Sequence, residues 1–227
     1  MEANEIKQLA RSLGAELVGI APASALEEVP GYKPSYLLPN AQSVIVVGMR
    51  LLKGSLAKGR GRPVAWATIH LNLKLNEIAY EVAKHIEDAK FNAFPVFFLP
   101  MTFLPPDDEE SKMAILTTPN FAYVPAAVAA GLGERGINHL LVTPEFGPRV
   151  RLAAIITDAT LAPDKPQEEV LCPGLECGLC LDACPPHALS RDRDPDFVLC
   201  NKHHNSHLHL LGYGSCAMCM QVCPISK

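Results

Sequence analysis

Cys177-Gly178-Leu179-Cys180-Leu181-Asp182-Ala183-Cys184-Pro185 and Cys216-Ala217-Met218-Cys219-Met220-Gln221-Val222-Cys223-Pro224 repeat one pattern, Cys-x2-Cys-x3-Cys-Pro. With Cys172 ahead of the first run and Cys200 ahead of the second, all eight cysteines of the 227-residue chain fall into two sets of four. Four thiolates are what one 4Fe-4S cubane requires, so the pattern predicts two cubanes and a redox or electron-transfer function. A two-residue gap lets one backbone turn wrap a cubane corner, while the cysteine after the three-residue gap leaves the next turn toward the neighbouring cluster. On that interlocking scheme one cluster takes Cys172, Cys177, Cys180 and Cys223, and the other Cys184, Cys200, Cys216 and Cys219. Pro185 and Pro224 each stop the local helix just past a ligand. Cys172 stands two residues earlier than a regular Cys-x2-Cys-x2-Cys run would place it, and a Pro173-Gly174 turn is expected to absorb the offset.

Cysteine pairs at this spacing also build tetrahedral zinc sites, which remain the alternative. The twofold Cys-x3-Cys-Pro element speaks for clusters instead. A disulfide framework is disfavoured, because Glu2, Ala3, Asn4 and Glu5 open an amphipathic helix in place of an apolar signal segment. The expected compartment is therefore the reducing cytoplasm. No apolar run approaches the length that crosses a bilayer. A net charge of -4 leaves no electrostatic footprint for nucleic acid. The local basic run Lys53, Lys58, Arg60 and Arg62 lies among Gly54, Gly59 and Gly61; it reads as a mobile solvated connection, with a lid as the alternative. His203, His204, His207 and His209 crowd the segment between Cys200 and Cys216. With eight thiols already accounting for two cubanes, they are expected to hydrogen-bond near a cluster or face solvent. His139 is expected in the core without a ligand.

Outward from the cysteines, the first 160 or so residues alternate helix and strand signals. Ile6, Leu9, Ala10 and Leu13 share a helical face, with Asn4 as the expected cap and Gly14 as the stop. A strand follows at 17–20, and Val44-Ile45-Val46-Val47 reads as a strand covered on both faces. Leu71, Leu75, Ile78, Ala79, Val82 and Ile86 keep a helical stripe. Residues 94–99 read as another buried strand, 121–130 as a helix, and 140–142 and 152–157 as two strands joined by a turn. The sum is an α/β (α+β) layered domain. A polar, proline-rich stretch from Pro163 to Glu169 then marks a boundary, dividing the chain into residues 1–165 and a small cysteine module, residues 166–227. That module is too small to bury much apolar surface, so metal ligation is expected to carry much of its folding energy.

The segment Ala127 to Leu152, which contains Gly131-Leu132-Gly133-Glu134-Arg135-Gly136 and Thr143-Pro144-Glu145-Phe146-Gly147-Pro148-Arg149-Val150-Arg151, resembles epoxyqueuosine reductases and reductive dehalogenases once joined to the two cysteine sets. The resemblance runs from about residue 15 to the end. It implies a cofactor-binding domain similar to flavin nitroreductases, which holds a cobalamin, and a ferredoxin-like module that feeds electrons to the cobalt. It further implies an external low-potential electron donor and a small-molecule substrate. On this reading Gly131, Gly133 and Gly136 let backbone approach the cofactor, and the stretch Thr143 to Arg151, with Thr143, Glu145, Phe146, Gly147 and Arg149, shapes its pocket. A tight helix-to-strand connection without any ligand is the alternative for the glycines.

The chain also departs from the family. Where epoxyqueuosine reductases carry a proton-donating acid in an Asp-x-x-Pro context, it has Thr117, followed by Thr118, Pro119 and Asn120. Reductive dehalogenases use a tyrosine, for which Tyr123 is the candidate; its alternative is a tyrosine packed at a helix start. No counterpart of the repeat domain of many epoxyqueuosine reductases lies within these 227 residues, so a small substrate is expected rather than RNA. Two functions from different classes follow. One is a corrinoid-dependent reductase, and the other an electron-transfer or cofactor-handling protein without turnover of its own. FMN in place of cobalamin, making the chain a flavin-dependent reductase, stays open, since a fold does not choose a cofactor.

Overall fold

A computed structural model describes residues 1–97, 121–205 and 216–225. At its centre lies a four-stranded sheet of β1 (Leu17–Pro22), β2 (Ser43–Arg50), β6 (Val150–Thr157) and β3 (Ala93–Val96), in the order β1-β2-β6-β3. Every pairing is antiparallel, with Val18 opposite Val47, Ile45 opposite Ile155, and Phe94 opposite Ile156. The layered class expected from the sequence is therefore met by a mixed α/β fold whose sheet lacks parallel neighbours among the described strands.

Alternation along the strands explains why Val44 to Val47 is continuously apolar. Ile20, Ile45, Val47 and Ile155 point to one face, where they pack on α1 (Ala3–Ser12) and α3 (Arg62–Asp88) through Ile6, Leu75, Val82 and Ile86. Val44, Val46, Ala154 and Ile156 point to the other and pack on Ala126 and Ala127 of α4 (Tyr123–Ala129). The short α2 (Pro34–Leu37) and the two-residue strands β4 (Glu134–Arg135) and β5 (Leu141–Val142) complete this second layer. Val44 to Val47 are fully buried, consistent with helices on both sides of the sheet.

Several local expectations change. Helix α1 starts at Ala3 with Glu2 as its flanking residue, so Asn4 lies inside the first turn rather than capping it. Gly14 does follow the helix, at a φ of 108°. The stripe from Leu71 belongs to a 27-residue helix that begins at Arg62, where Pro63 suits the first turn. Strand β3 covers only Ala93–Val96 and lies at the sheet edge, which tolerates Pro95 and leaves Phe94 exposed. The rest of the strand expected over 94–99 falls mostly outside the described residues, as do Thr117 to Asn120, His207 and His209. The strands near 140–142 and 152–157 are not a hairpin. β5 pairs with β4 in a separate two-stranded sheet, while β6 sits inside the main sheet.

The proline-rich stretch does not swing free of the sheet. Asp164 accepts a hydrogen bond from the Ile20 amide at 2.8 Å, returns one from its own amide to the Ile20 carbonyl at 2.8 Å, and pairs with Lys7 at 2.5 Å. It thereby covers part of the open side of edge strand β1 and directs the following chain toward the cysteines. The glycine-rich basic connection is also docked. Ala217 donates to the Gly59 carbonyl at 2.7 Å, and Gln221 Nε2 donates to the Ala57 carbonyl at 2.7 Å. Gly59 adopts the left-handed region there, at a φ of 62°, which favours glycine.

Candidate functional site

Each cysteine motif folds as a single helical turn followed by a sharp exit. Gly178, left-handed at a φ of 59°, starts the turn Leu179–Asp182 and releases the chain at Cys184. The turn Met218–Gln221 does the same for Cys223. Arg191 braces the first motif by bonding Asp182 at 3.0 Å and the Leu175 carbonyl at 3.0 Å. Pro173 and a left-handed Gly174 turn the chain between Cys172 and Cys177, which takes up the two-residue offset.

These turns gather the cysteines around two cavities. Cys172, Cys177, Cys180 and Cys223 line the first, and Cys184, Cys200, Cys216 and Cys219 line the second. Cys223 from the second motif thus faces the first cavity, and Cys184 from the first motif faces the second. The first cavity is tighter, about 20 Å³ against about 190 Å³. Among the described residues no three His, Cys, Asp or Glu side chains converge on a single ion. Four thiols around each cavity are a donor set suited to an iron-sulfur cluster.

Burial dominates the acidity of these thiols. It pushes Cys219 up to about 12, with Cys216 adding to the effect, and Cys200 up to about 11, with Cys184 adding. Cys180 rises to about 11 by burial, then through Cys172. Cys216 also rises through burial, against a smaller opposing pull from Arg60. Such thiols hold their protons at neutral pH, so metal uptake must displace them and releases protons.

A pocket of about 240 Å³ adjoins the second cavity, sharing Leu140 with its wall, and is also lined by Met220, the residue after Cys219. Tyr123, Leu141, Pro148, Arg151 and Leu152 form much of its wall. Tyr123 donates its hydroxyl to the Val96 carbonyl at 3.3 Å and packs edge-on against Phe121. Burial pushes its phenol up to about 12, against the opposing charge of Arg151. Arg151 is held by the buried Asn72 of α3, whose Oδ1 accepts from its Nε at 3.0 Å. His204 Nδ1 lies 3.2 Å from the carbonyl oxygen and 3.4 Å from the amide nitrogen of Cys216. Burial, then Arg151, lowers His204 to about 4, so the imidazole is neutral at pH 7. His203 lines the second cavity beside it.

The other expected cofactor residues are placed differently. A Cβ at Gly131 would stand 2.2 Å from the Lys165 carbonyl oxygen, one at Gly133 2.1 Å from that of Val142, and one at Gly136 2.8 Å from Val142 Cγ2. Each of these glycines therefore passes close to another part of the chain. Thr143 is buried and closes the 143–147 loop, exchanging backbone hydrogen bonds with Gly147 and accepting one from the Phe146 amide at 3.0 Å. Phe146 lies under the Arg50 guanidinium, Glu145 is exposed, and buried Arg149 donates to the Leu51 carbonyl at 2.6 Å. These five residues build the loop, and the wall of the pocket comes from the residues flanking it.

His139 corrects another expectation. It is left-handed at a φ of 60°, packs edge-on against Phe197 and lines the second cavity rather than the α/β core. Asn138, Asn72 and Glu134 were given no role from the sequence, whereas Arg151 closes the stretch expected to shape the pocket and does line it. Asn138 lines both cavities, and one Glu134 oxygen accepts from the amides of both Leu171 and Cys172. A polar Asn138 within the glycine-rich segment was the only local signal.

Because Gly133 combines a φ of 153° with the Val142 contact, Gly133→Ala is expected to cost about 2–4 kcal/mol of stability. A lowered urea midpoint with an unchanged slope would register that loss.

No family model matches the chain. A tetrachloroethene reductive dehalogenase of Desulfitobacterium hafniense is 52% identical over 75 residues, covering 32% of this chain and 13% of that protein. An epoxyqueuosine reductase of Bacillus cereus is 26% identical across the whole of this chain and 66% of its own length. A solved reductive dehalogenase, described through a mechanism for B12-dependent dehalogenation, superposes with a TM-score of 0.75 at 21% identity, covering 98% of this chain and 31% of that one. The chain thus matches only part of the length of each. No helix among the described residues is long and apolar enough to cross a membrane. In sequence and in fold, the chain is a relative of the reductive dehalogenases and the epoxyqueuosine reductases.

Proposed function

We propose that this chain is the reductive core of a corrinoid-dependent reductase acting on a small substrate, with residues 166–227 as its electron-carrying module and residues 1–165 as its cofactor domain. The observation that carries the proposal is the pair of four-cysteine cavities that exchange one cysteine between motifs, the second of them adjoining the Tyr123 pocket. When bound, two 4Fe-4S clusters would supply one-electron transfers and a corrinoid would supply the low-valent metal for the reductive step. The first quartet would hold one cluster and the second the other, nearer the pocket.

The chain's own contributions are position, proton and dryness. Apolar walls from Leu141, Pro148 and Leu152 limit water in the pocket. Tyr123 keeps its proton at neutral pH, as a general acid must. Arg151, fixed by Asn72, places a positive charge beside that phenol and favours the phenolate left after proton transfer. A low-potential electron donor would serve the module from outside.

Anaerobic reconstitution with iron and sulfide, followed separately by hydroxocobalamin and by FMN, tests the reading. About eight irons per chain and one cobalt are expected, with a visible spectrum that changes to reduced cobalamin on dithionite addition. Uptake of FMN instead of cobalamin would redirect the proposal to a flavin reductase, and about two zinc ions in place of iron would refute the clusters.

A further inference from the structure

Glu134 reaches across 38 residues of sequence to the first cysteine. Its position is built by the glycines beside it: Gly133 lets β4 pass close to β5, where Glu134 pairs with Val142. From there a single carboxylate oxygen accepts the Leu171 amide at 3.0 Å and also the amide of Cys172. Cys172 in turn lines the first cavity with Cys177, Cys180 and Cys223.

Two physical consequences follow for any cluster held there, and both have the same sign. An amide that donates to a cluster sulfur stabilises the extra electron of the reduced state and raises the potential. Two amides next to a ligand are here committed to a carboxylate instead. The carboxylate also adds negative charge beside the site, which opposes reduction. We propose that Glu134 is a positioning residue for Cys172 that keeps the first cluster at low potential. This assignment rests on the cluster reading above and adds to it the residue that tunes one of the two centres.

The test uses the full chain, reconstituted anaerobically, with iron analysis and an EPR-monitored redox titration. The wave that disappears in Cys177→Ser identifies the first cluster. Glu134→Gln keeps an oxygen able to accept both amides but removes the charge. Its iron content is expected to equal that of the wild type, while the first-cluster wave alone moves to more positive potential. Glu134→Leu removes the acceptor and is expected to lose about half of the iron, with the first wave gone. A Glu134→Gln wave at the wild-type position, or an equal movement of both waves, would overturn the assignment while leaving the clusters in place. A wild-type chain that takes up no iron would overturn the cluster reading and this assignment with it.

Discussion

Reconstituted Cys180→Ser is expected to hold about four irons where the wild type holds about eight, and to lose electron delivery altogether. Burial raises the Cys180 thiol to about 11, and Cys172, Cys223 and Cys177 in the same cavity add to the rise. A serine oxygen at that position cannot replace a thiolate in a soft iron-sulfur donor set. The second quartet keeps its four thiols, so one centre should remain. It should be weakened rather than untouched, because Cys184 and Cys223 cross between the motifs and tie the two cavities together. Iron analysis with the reduced EPR spectrum reads both effects. Retention of both centres would show that Cys180 is not a ligand.

Tyr123→Phe is expected to lower turnover by about 10²- to 10⁴-fold, the span that loss of a positioned general acid produces. The fold should survive. The ring keeps its contact with Phe121, and only the 3.3 Å hydrogen bond to the Val96 carbonyl is lost, at about 1 kcal/mol or less. Comparing turnover with thermal stability therefore separates a chemical role from a packing one. A large loss of stability with a proportionate loss of activity would favour the tyrosine packed at a helix start.

An alkaline titration adds an independent check. The folded-state phenol is pushed from 10 up to about 12 by burial, so between these values the unfolded chain loses a proton that the folded chain retains. Fewer protons on the unfolded state mean that stability falls as pH rises through that window. Tyr123→Phe should remove this part of the decline, as the difference between the two unfolding curves.

Much of the cysteine arrangement was legible in the chain, because spacing within a motif is a local property. A one-turn helix and a proline stop place Cys177, Cys180 and Cys184 whatever surrounds them. The same holds for the core strand Val44 to Val47, whose unbroken apolar run already required cover on both faces. Reading failed where a feature depended on distant partners. The glycine-rich basic segment looks solvated in isolation, and only the Ala217 and Gln221 contacts show it docked. Strands β5 and β6 look like a hairpin, since nothing nearby reveals that β4 claims one and β2 the other.

The pocket shows the same division. Thr143 to Arg149 carry the most distinctive residues, and their buried polar groups are satisfied partly inside the loop, at Thr143, and partly outside it, where Arg149 reaches the Leu51 carbonyl. Distant partners fix two further residues: Arg151 is aimed by Asn72, which lies 79 residues away, and the Cys172 amide is held by Glu134, 38 residues away. By itself the sequence determined the grouping of the cysteines, the motif turns and the apolar layers, since each rests on spacing, backbone geometry or periodicity over a few residues. Only the tertiary structure decided which carboxylate holds Cys172 and which amide aims Arg151, because those pairings exist only after the sheet and helices bring distant segments within hydrogen-bond reach.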